Sequence, residues 1–451
     1  MHKHSLQTPS RRDILKAVLP AALVVTGMPR LGMAAEKEKM PPVRVITRGP
    51  KHHWFAYYDK PEFDPTGRYC LSMEVDFEHR SPTPDDVIKI GMVDLEDGDK
   101  WIELDESRLW CWQQGCMLQW LPGSKNEIIW NDRDGEDFVC RILNVKTGKK
   151  RTIGHPFYTI SPDGKTAFAP DFRRLQSMRA GYGYPGPPDP YIDALTPKDS
   201  GIFRIDLESG KQDLIITLAD VANIPFRADI SQKKHYFNHL LVNTDSTRLE
   251  FLHRWAPRGN FGRTRMLTAA IDGSDIRVVD GSGCTSHFIW RDPDHILAWS
   301  WYPRDVGYKH PYGFCLFEDK AGGGKVEIIG GDVMYYDGHC TYLPNKKYIL
   351  NDTYPDEKRN QNPHLYELAT GRRIPLGHFH LPRVYSEEWR CDTHPRCSPD
   401  GRSVVIDTPF KNEGRQLHLI DISGIVEVGT AKAGRNSKGS ASDLRVHRSA
   451  L

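Results

Sequence analysis

Four histidines stand at one distance ahead of a turn. His239 precedes Thr244, His287 precedes Asp292, His339 precedes Pro344 and His394 precedes Pro399, each by five residues. Imidazoles brought together can ligate a divalent metal, or divide the roles of ligand and base, because each ring offers a lone pair near neutral pH. One such histidine would be read as a satisfied core residue; four in one register are read as a site. Asp392, two residues before His394, adds a carboxylate. Imidazole with carboxylate suits manganese, zinc or iron, and the donor types do not choose among them. Cys391 is read as a buried thiol.

The elements that must position these residues follow from the turns. FDPTGRYCLS (63–72), SPDGKTAFA (161–169), LPNKKYILN (343–351) and SPDGRSVVI (398–406) share one pattern, a tight turn running into an apolar strand, and three further segments repeat it. After each comes a second hairpin signal, such as VDLEDGDKWIEL or IDLESGKQDLI, with Asp-Gly, Ser-Gly or Thr-Gly at the turn. Four short strands repeated seven times predict an all-β fold, a seven-bladed β-propeller over residues 42–428. Two β-sandwiches are the alternative, and the regular order of the two turn types favours the propeller. The first strand of each blade lines the channel, so equivalent histidines converge on the axis. VRVITRG (43–49) is expected to close the ring on the last blade. A long Gly-, Pro- and Tyr-rich insertion follows FAPDF (168–172), with Arg173, Arg174 and Arg179 near its start. Basic groups among aromatics there would suit an acidic sugar, and a packed surface loop is the equal alternative.

Lysine plus arginine (61) nearly balances aspartate plus glutamate (59), which gives no reason to expect a nucleic-acid partner. SRRDILK (10–16), the apolar AVLPAALVV (17–25) and small residues in GMAAE (32–36) read as a signal peptide over 1–35. The paired Arg11 and Arg12 give it a twin-arginine look, so export to the periplasm is expected. No later segment has the length and apolarity of a membrane span. Residues 429–451 read as a disordered tail. Nine cysteines in an exported chain leave room for one or two disulfides, with Cys111/Cys116 and Cys391/Cys397 close in sequence.

Several of these segments resemble the oligogalacturonate lyases, seven-bladed propellers that cleave oligouronides by β-elimination. The similarity runs from about residue 50 to residue 420, and TRMLTAAIDGSDIRVV (264–279), GCTSHFIW (283–290) and DTHPRCSPD (392–400) carry it. The resemblance implies that His287 is the catalytic base and Arg265 the catalytic arginine. It also implies that His339, His394 and Asp392 are ligands of a divalent metal, manganese foremost, with zinc or iron as alternatives. Asp392 stands where the family has a histidine. The family's metal-binding glutamine falls near Trp389 and has no counterpart, which leaves Glu387, Glu388 or water to fill the position. The family's usual members work in the cytoplasm, whereas this chain carries an export signal.

Other polar residues are candidates for holding an acidic oligosaccharide: His239, His253, His53, Gln114, Arg133 and Tyr182, since amides, rings and guanidinium groups suit sugar hydroxyls, faces and charges. A glycoside hydrolase would use two opposed carboxylates, and no clear pair stands out. A propeller that only binds sugar or protein is the remaining alternative. The sugar, exo or endo action and the oligomeric state are not legible in the sequence.

Overall fold

Turn chemistry and strand alternation build one unit seven times over. The computed structural model describes residues 40–255, 263–303 and 306–426; the expected signal peptide and nearly all of the tail lie outside them. Each blade is a four-stranded antiparallel sheet. The fourth blade is typical, with strands His235–Val242, Arg248–Trp255, Thr264–Ala270 and Arg277–Asp280 paired in sequence order. The second strands carry the core: RLEFLHRW of this blade is buried at six of its eight positions. Among the described residues, three short α-helices, Phe172–Met178, Leu218–Ala222 and Ser423–Val426, a two-stranded ribbon pairing Asn360–Gln361 with Phe379–His380, and brief 3-10 turns complete the regular structure. No helix among the described residues is long and apolar enough to cross a membrane.

The seventh blade is made from both ends of the chain. Its order is Arg396–Cys397, Ser403–Thr408, Gln416–Asp421 and then Val43–Val45 as the outermost strand. The expected closure forms, with Val43 opposite Ile420 and Val45 opposite His418. Beyond it, Asp421 accepts the Ser423 N–H at 2.9 Å, and the chain turns into the helix Ser423–Val426. A buried ion pair adds to the closure, because Arg396 of the seventh blade reaches Glu62 of the first at 2.7 Å.

Neighbouring blades are fastened by tryptophan. The Trp120 and Trp130 indoles of the second blade donate to the carbonyls of Glu62 and Glu106 in or beside the first. Trp290 of the fifth blade donates to Leu241 of the fourth. Each ring contributes apolar burial worth about 1.5–3 kcal/mol and pairs its only polar atom with a main-chain oxygen. The turns also meet. Gly164 has φ +71°, and a β-carbon there would collide with the Pro122 carbonyl of the preceding blade's turn.

All nine cysteines are unpaired, and eight are buried. Burial pushes the Cys391 thiol far up. The insertion is ordered: Asp171 caps its helix, and the Arg174 guanidinium gathers the carbonyls of His235, Tyr191, Ala194 and Leu195 at 2.9–3.0 Å.

A chain beginning at Lys51 loses the closing strand, and with it Ile46, which is fully buried and donates to Leu417. Its melting temperature should fall by several degrees and its unfolding should lose cooperativity, both measurable by scanning calorimetry.

Candidate functional site

Antiparallel alternation decides where the histidines go. First strands start, second strands end and third strands start at one end of every blade, while the turns after the first strands lie at the other. His239 lies within the first strand of the fourth blade. His287, His339 and His394 lie just ahead of Phe288–Asp292, Thr341–Tyr342 and Arg396–Cys397. All four therefore sit at one mouth of the channel, opposite the turns that define their register.

They converge. Ring centroids are 6.0 Å apart for His239 and His287, 4.2 Å for His287 and His339, and 4.3 Å for His339 and His394. The Tyr57 ring lies among them, 5.3 Å from His239 and 4.8 Å from His394. Two of the histidines are aimed by unusual backbone. A bulge between Asn238 and Leu240 leaves His239 at φ 50°, and His394 takes φ 38° directly before Pro395. A left-handed conformation at a non-glycine residue costs about 1–3 kcal/mol. The surroundings must supply it, as the Asn238 side chain does by accepting the His239 N–H at 2.8 Å.

His339, Asp392 and His394 bring one donor atom each within 4.8 Å of one another, all buried. Asp352 orients the first. Its carboxylate accepts from the His339 N–H at 2.7 Å, from the His339 ring Nδ1 at 3.0 Å and from the Thr393 hydroxyl at 2.5 Å. Gly338 makes room, since a β-carbon there would collide with the Asp352 carbonyl. Burial alone would raise the Asp352 carboxyl, but His339 and these donors hold it down at about 2. The same carboxylate raises the His339 imidazole against the effect of burial. With Nδ1 committed, Nε2 of His339 is left to face the site. The Nε2 atom of His394 is buried with no hydrogen-bond partner, and burial, then the neighbouring charges, hold this ring neutral.

An orphaned imidazole nitrogen, a second imidazole fixed by a carboxylate, and a carboxylate ligand fit a divalent cation. Asp392 has a second task. Arg390 grips it with Nε at 2.7 and 2.8 Å and Nη2 at 2.5 Å. Each carboxylate oxygen has two lone pairs, so this grip leaves capacity for a cation. Gln113 accepts from Arg390 at 3.0 Å and donates to the Glu388 and Arg390 carbonyls, tying this segment to the second blade. Glu387 and Glu388 begin a 3-10 turn, Glu387–Trp389, and neither joins the cluster of metal-type donors.

His287 sits beside this triad. Its Nδ1 meets Asp337 at 2.9 Å, which leaves Nε2 as the free ring atom. Burial lowers its pKa, with Asp337 opposing. Tyr182, on the insertion, lies edge-on to His239 at 6.0 Å. Burial alone would raise its phenol, but the Arg179 and Arg390 charges bring it down to about 8. Gln114 joins through Tyr158, donating to that phenol at 2.6 Å, and the phenol lies 3.4 Å from His239 Nδ1.

The remaining candidates lie elsewhere. Arg265 is on the third strand of the fourth blade. It donates to His253 at 3.0 Å and to the carbonyls of Val221 and Ile224 at 2.7 and 3.2 Å, so its guanidinium braces the helix Leu218–Ala222. His253 is held between Arg265 and His235. His53 bonds Gln416 and pairs with Glu74 at the junction of the first and seventh blades. Arg133 reaches the Pro84 carbonyl. Absent from the candidates, yet in the site, are Asp337, Asp352, Arg390 and Tyr354, whose ring lies 6.1 Å from His287 and 6.0 Å from His339. Asp352 stands eight residues after Pro344 where His339 stands five before it, and the register that pairs Thr341 with Leu350 and Tyr342 with Ile349 sets them face to face across the hairpin.

No family model matches the chain, and no curated protein sequence does. Among solved structures, the oligogalacturonate lyase of Vibrio parahaemolyticus matches with a TM-score of 0.60 at 12% identity, over 84% of this chain and 93% of that one. An oligogalacturonate lyase in complex with manganese matches with the same values. A prolyl endopeptidase structure gives 0.48 at 12% identity, over 84% of this chain and 49% of its own. At such identities the likeness establishes the fold: this chain is a seven-bladed β-propeller of the shape those lyases share.

Proposed function

We propose that the protein is a metal-dependent lyase that cleaves a uronate-containing oligo- or polysaccharide by β-elimination. The observation that carries this reading is His287, backed by Asp337, set 4.2 Å ring to ring from a histidine of a buried His–Asp–His triad. Elimination needs a base for the C5 proton of a uronate and positive charge on its C6 carboxylate, and these are the two halves of the arrangement.

His287 takes the C5 proton on Nε2. The electron pair left behind forms the C4–C5 double bond, and the C4–O bond breaks, so the leaving sugar departs as a hydroxyl once its oxygen gains a proton. Burial keeps His287 in the neutral form that a base requires, and Asp337 stabilises the imidazolium that forms. His339, Asp392 and His394 would hold the cation, manganese being the ion of the lyase complex noted above. Once bound there, a cation would supply positive charge to offset what develops on the C6 carboxylate. The carboxylates at the mouth weigh against a glycoside hydrolase. Asp337, Asp352 and Asp392 are committed to His287, His339 and Arg390, so none of these three is left to act as an opposed acid and base. The twin-arginine-like start of the chain would take this activity to the periplasm.

Manganese-loaded protein incubated with pectic, ulvan-like and glucuronan-type oligosaccharides should give rising absorbance from unsaturated products. No absorbance on any of them sinks the lyase reading and leaves a propeller that only binds. His287→Ala should cost 10²–10⁴-fold in turnover with substrate affinity kept, and full activity in that variant would remove His287 as base. Asp352→Asn should weaken manganese binding about 10–100-fold by titration calorimetry, while Cys391→Ala leaves it unchanged.

A further inference from the structure

Elimination also needs an acid. The C4–O bond breaks more readily when the departing oxygen takes up a proton, and none of the residues assigned above supplies it. His287 receives the C5 proton, and the ring Nδ1 of His339 is held on Asp352. Arg265, the arginine expected at the site, is taken up by His253 and by the carbonyls of Val221 and Ile224.

Tyr57, Tyr58, Tyr158, Tyr182 and Tyr354 crowd the histidines, and their partners separate them. Tyr58 donates to the Phe288 carbonyl at 2.8 Å and accepts the Phe288 N–H at 3.1 Å. Tyr158 accepts from Gln114 at 2.6 Å. Tyr182 is paired with the Arg179 guanidinium. Tyr354 is half-buried, with the Arg390 guanidinium 5.4 Å from its ring centre.

Tyr57 differs. Between the strand His52–Trp54 and the bridge from Phe63 to Cys70 the chain leaves the first blade's sheet, which frees it to set this ring among histidines of other blades. The ring lies 4.8 Å from His394, 5.3 Å from His239 and 5.8 Å from His339. Its hydroxyl is buried with no hydrogen-bond partner. A buried hydroxyl left unpaired destabilises a fold relative to phenylalanine at the same place. The donor at Tyr57 thus serves nothing in the fold, and its partner is a ligand.

We infer that Tyr57 is the acid of the elimination, its hydroxyl giving the departing C4 oxygen its proton. The inference rests on the lyase reading and fills the half of the reaction which that reading leaves open. His287 Nε2 takes the C5 proton, the C5–H electron pair becomes the second bond between C4 and C5, and the C4–O pair leaves with the oxygen. Tyr57 protonates that oxygen and becomes a phenolate. The proton on His287 returns to it through water, so the enzyme ends as it began.

The test compares a leaving group that needs a proton with one that does not. A 4-linked diuronate and a uronate carrying a 4-nitrophenyl ether at C4 are given to manganese-loaded wild type, Tyr57→Phe and Tyr354→Phe; nitrophenolate departs as a stable anion. On the diuronate, Tyr57→Phe should lose about 10²–10⁴-fold in kcat with KM held within about threefold. On the ether its loss should stay below about tenfold, because no proton is needed there. The ligand-free melting temperature of Tyr57→Phe should equal or exceed that of wild type, whereas a hydroxyl with a structural role would lower it. Equal losses on both substrates, no loss on either, a lowered melting temperature, or the selective loss in Tyr354→Phe instead overturns the assignment. Any of these with an active wild type removes Tyr57 alone and leaves the lyase. A wild type that turns over neither substrate removes the lyase and the role of Tyr57 with it.

Discussion

Seven sheets hold four imidazoles within ring contact only while the circle is closed, and three residues, Val43–Val45, complete it along Gln416–Asp421. The site is not built on any one blade. His239, His287, His339 and His394 come from blades four to seven, Tyr57 and Tyr58 from the first, and Tyr182 from an insertion in the third. A small opening between the first and last blades would turn each of these side chains away from the axis. The buried Glu62–Arg396 pair crosses that same seam. Its charges meet a desolvation cost comparable to their attraction, so what it adds is a fixed partner for the join more than strength.

The mouth itself runs on committed carboxylates. Asp352 fixes His339, Asp337 fixes His287, and Asp392 is shared between Arg390 and the cluster of metal-type donors. Each acid selects which imidazole nitrogen is free or which guanidinium is neutral. The chemistry of the site is therefore written in hydrogen bonds one layer behind the groups that would meet a ligand. The unusual backbone at His239 and His394 belongs to the same design, because conformations that cost energy persist only where neighbours over-determine them.

How much of this could be read beforehand follows from period and register. Turn residues such as SPDG mark first strands directly, so the blade count, the closing strand and the four convergent histidines were legible. Alternation along second and third strands is harder, since a one-residue shift sends a side chain to the other face. His253 and Arg254 are adjacent in sequence and face opposite ways, and it is His253 that turns to Arg265 and His235. Arg265 carries the right chemistry, but main-chain carbonyls of Leu218–Ala222 claim it. Asp352 needed hairpin arithmetic rather than a motif. Arg390 stands only two residues before its carboxylate partner Asp392, but Gln113, which ties it down, comes from a part of the sequence far from it.

The seam has a consequence for how the chain can be rearranged. Val43 and Ile420 lie opposite one another on adjacent strands, so the two ends of the folded ring are neighbours although nearly the whole sequence separates them. A short linker between them would make the backbone continuous, and the circle could then be cut at an exposed outer turn such as Lys146–Lys149. Each such permutant keeps all seven four-stranded sheets and moves only the covalent break. Order along the chain and order around the axis are separable in this molecule, and the mouth depends on the second alone.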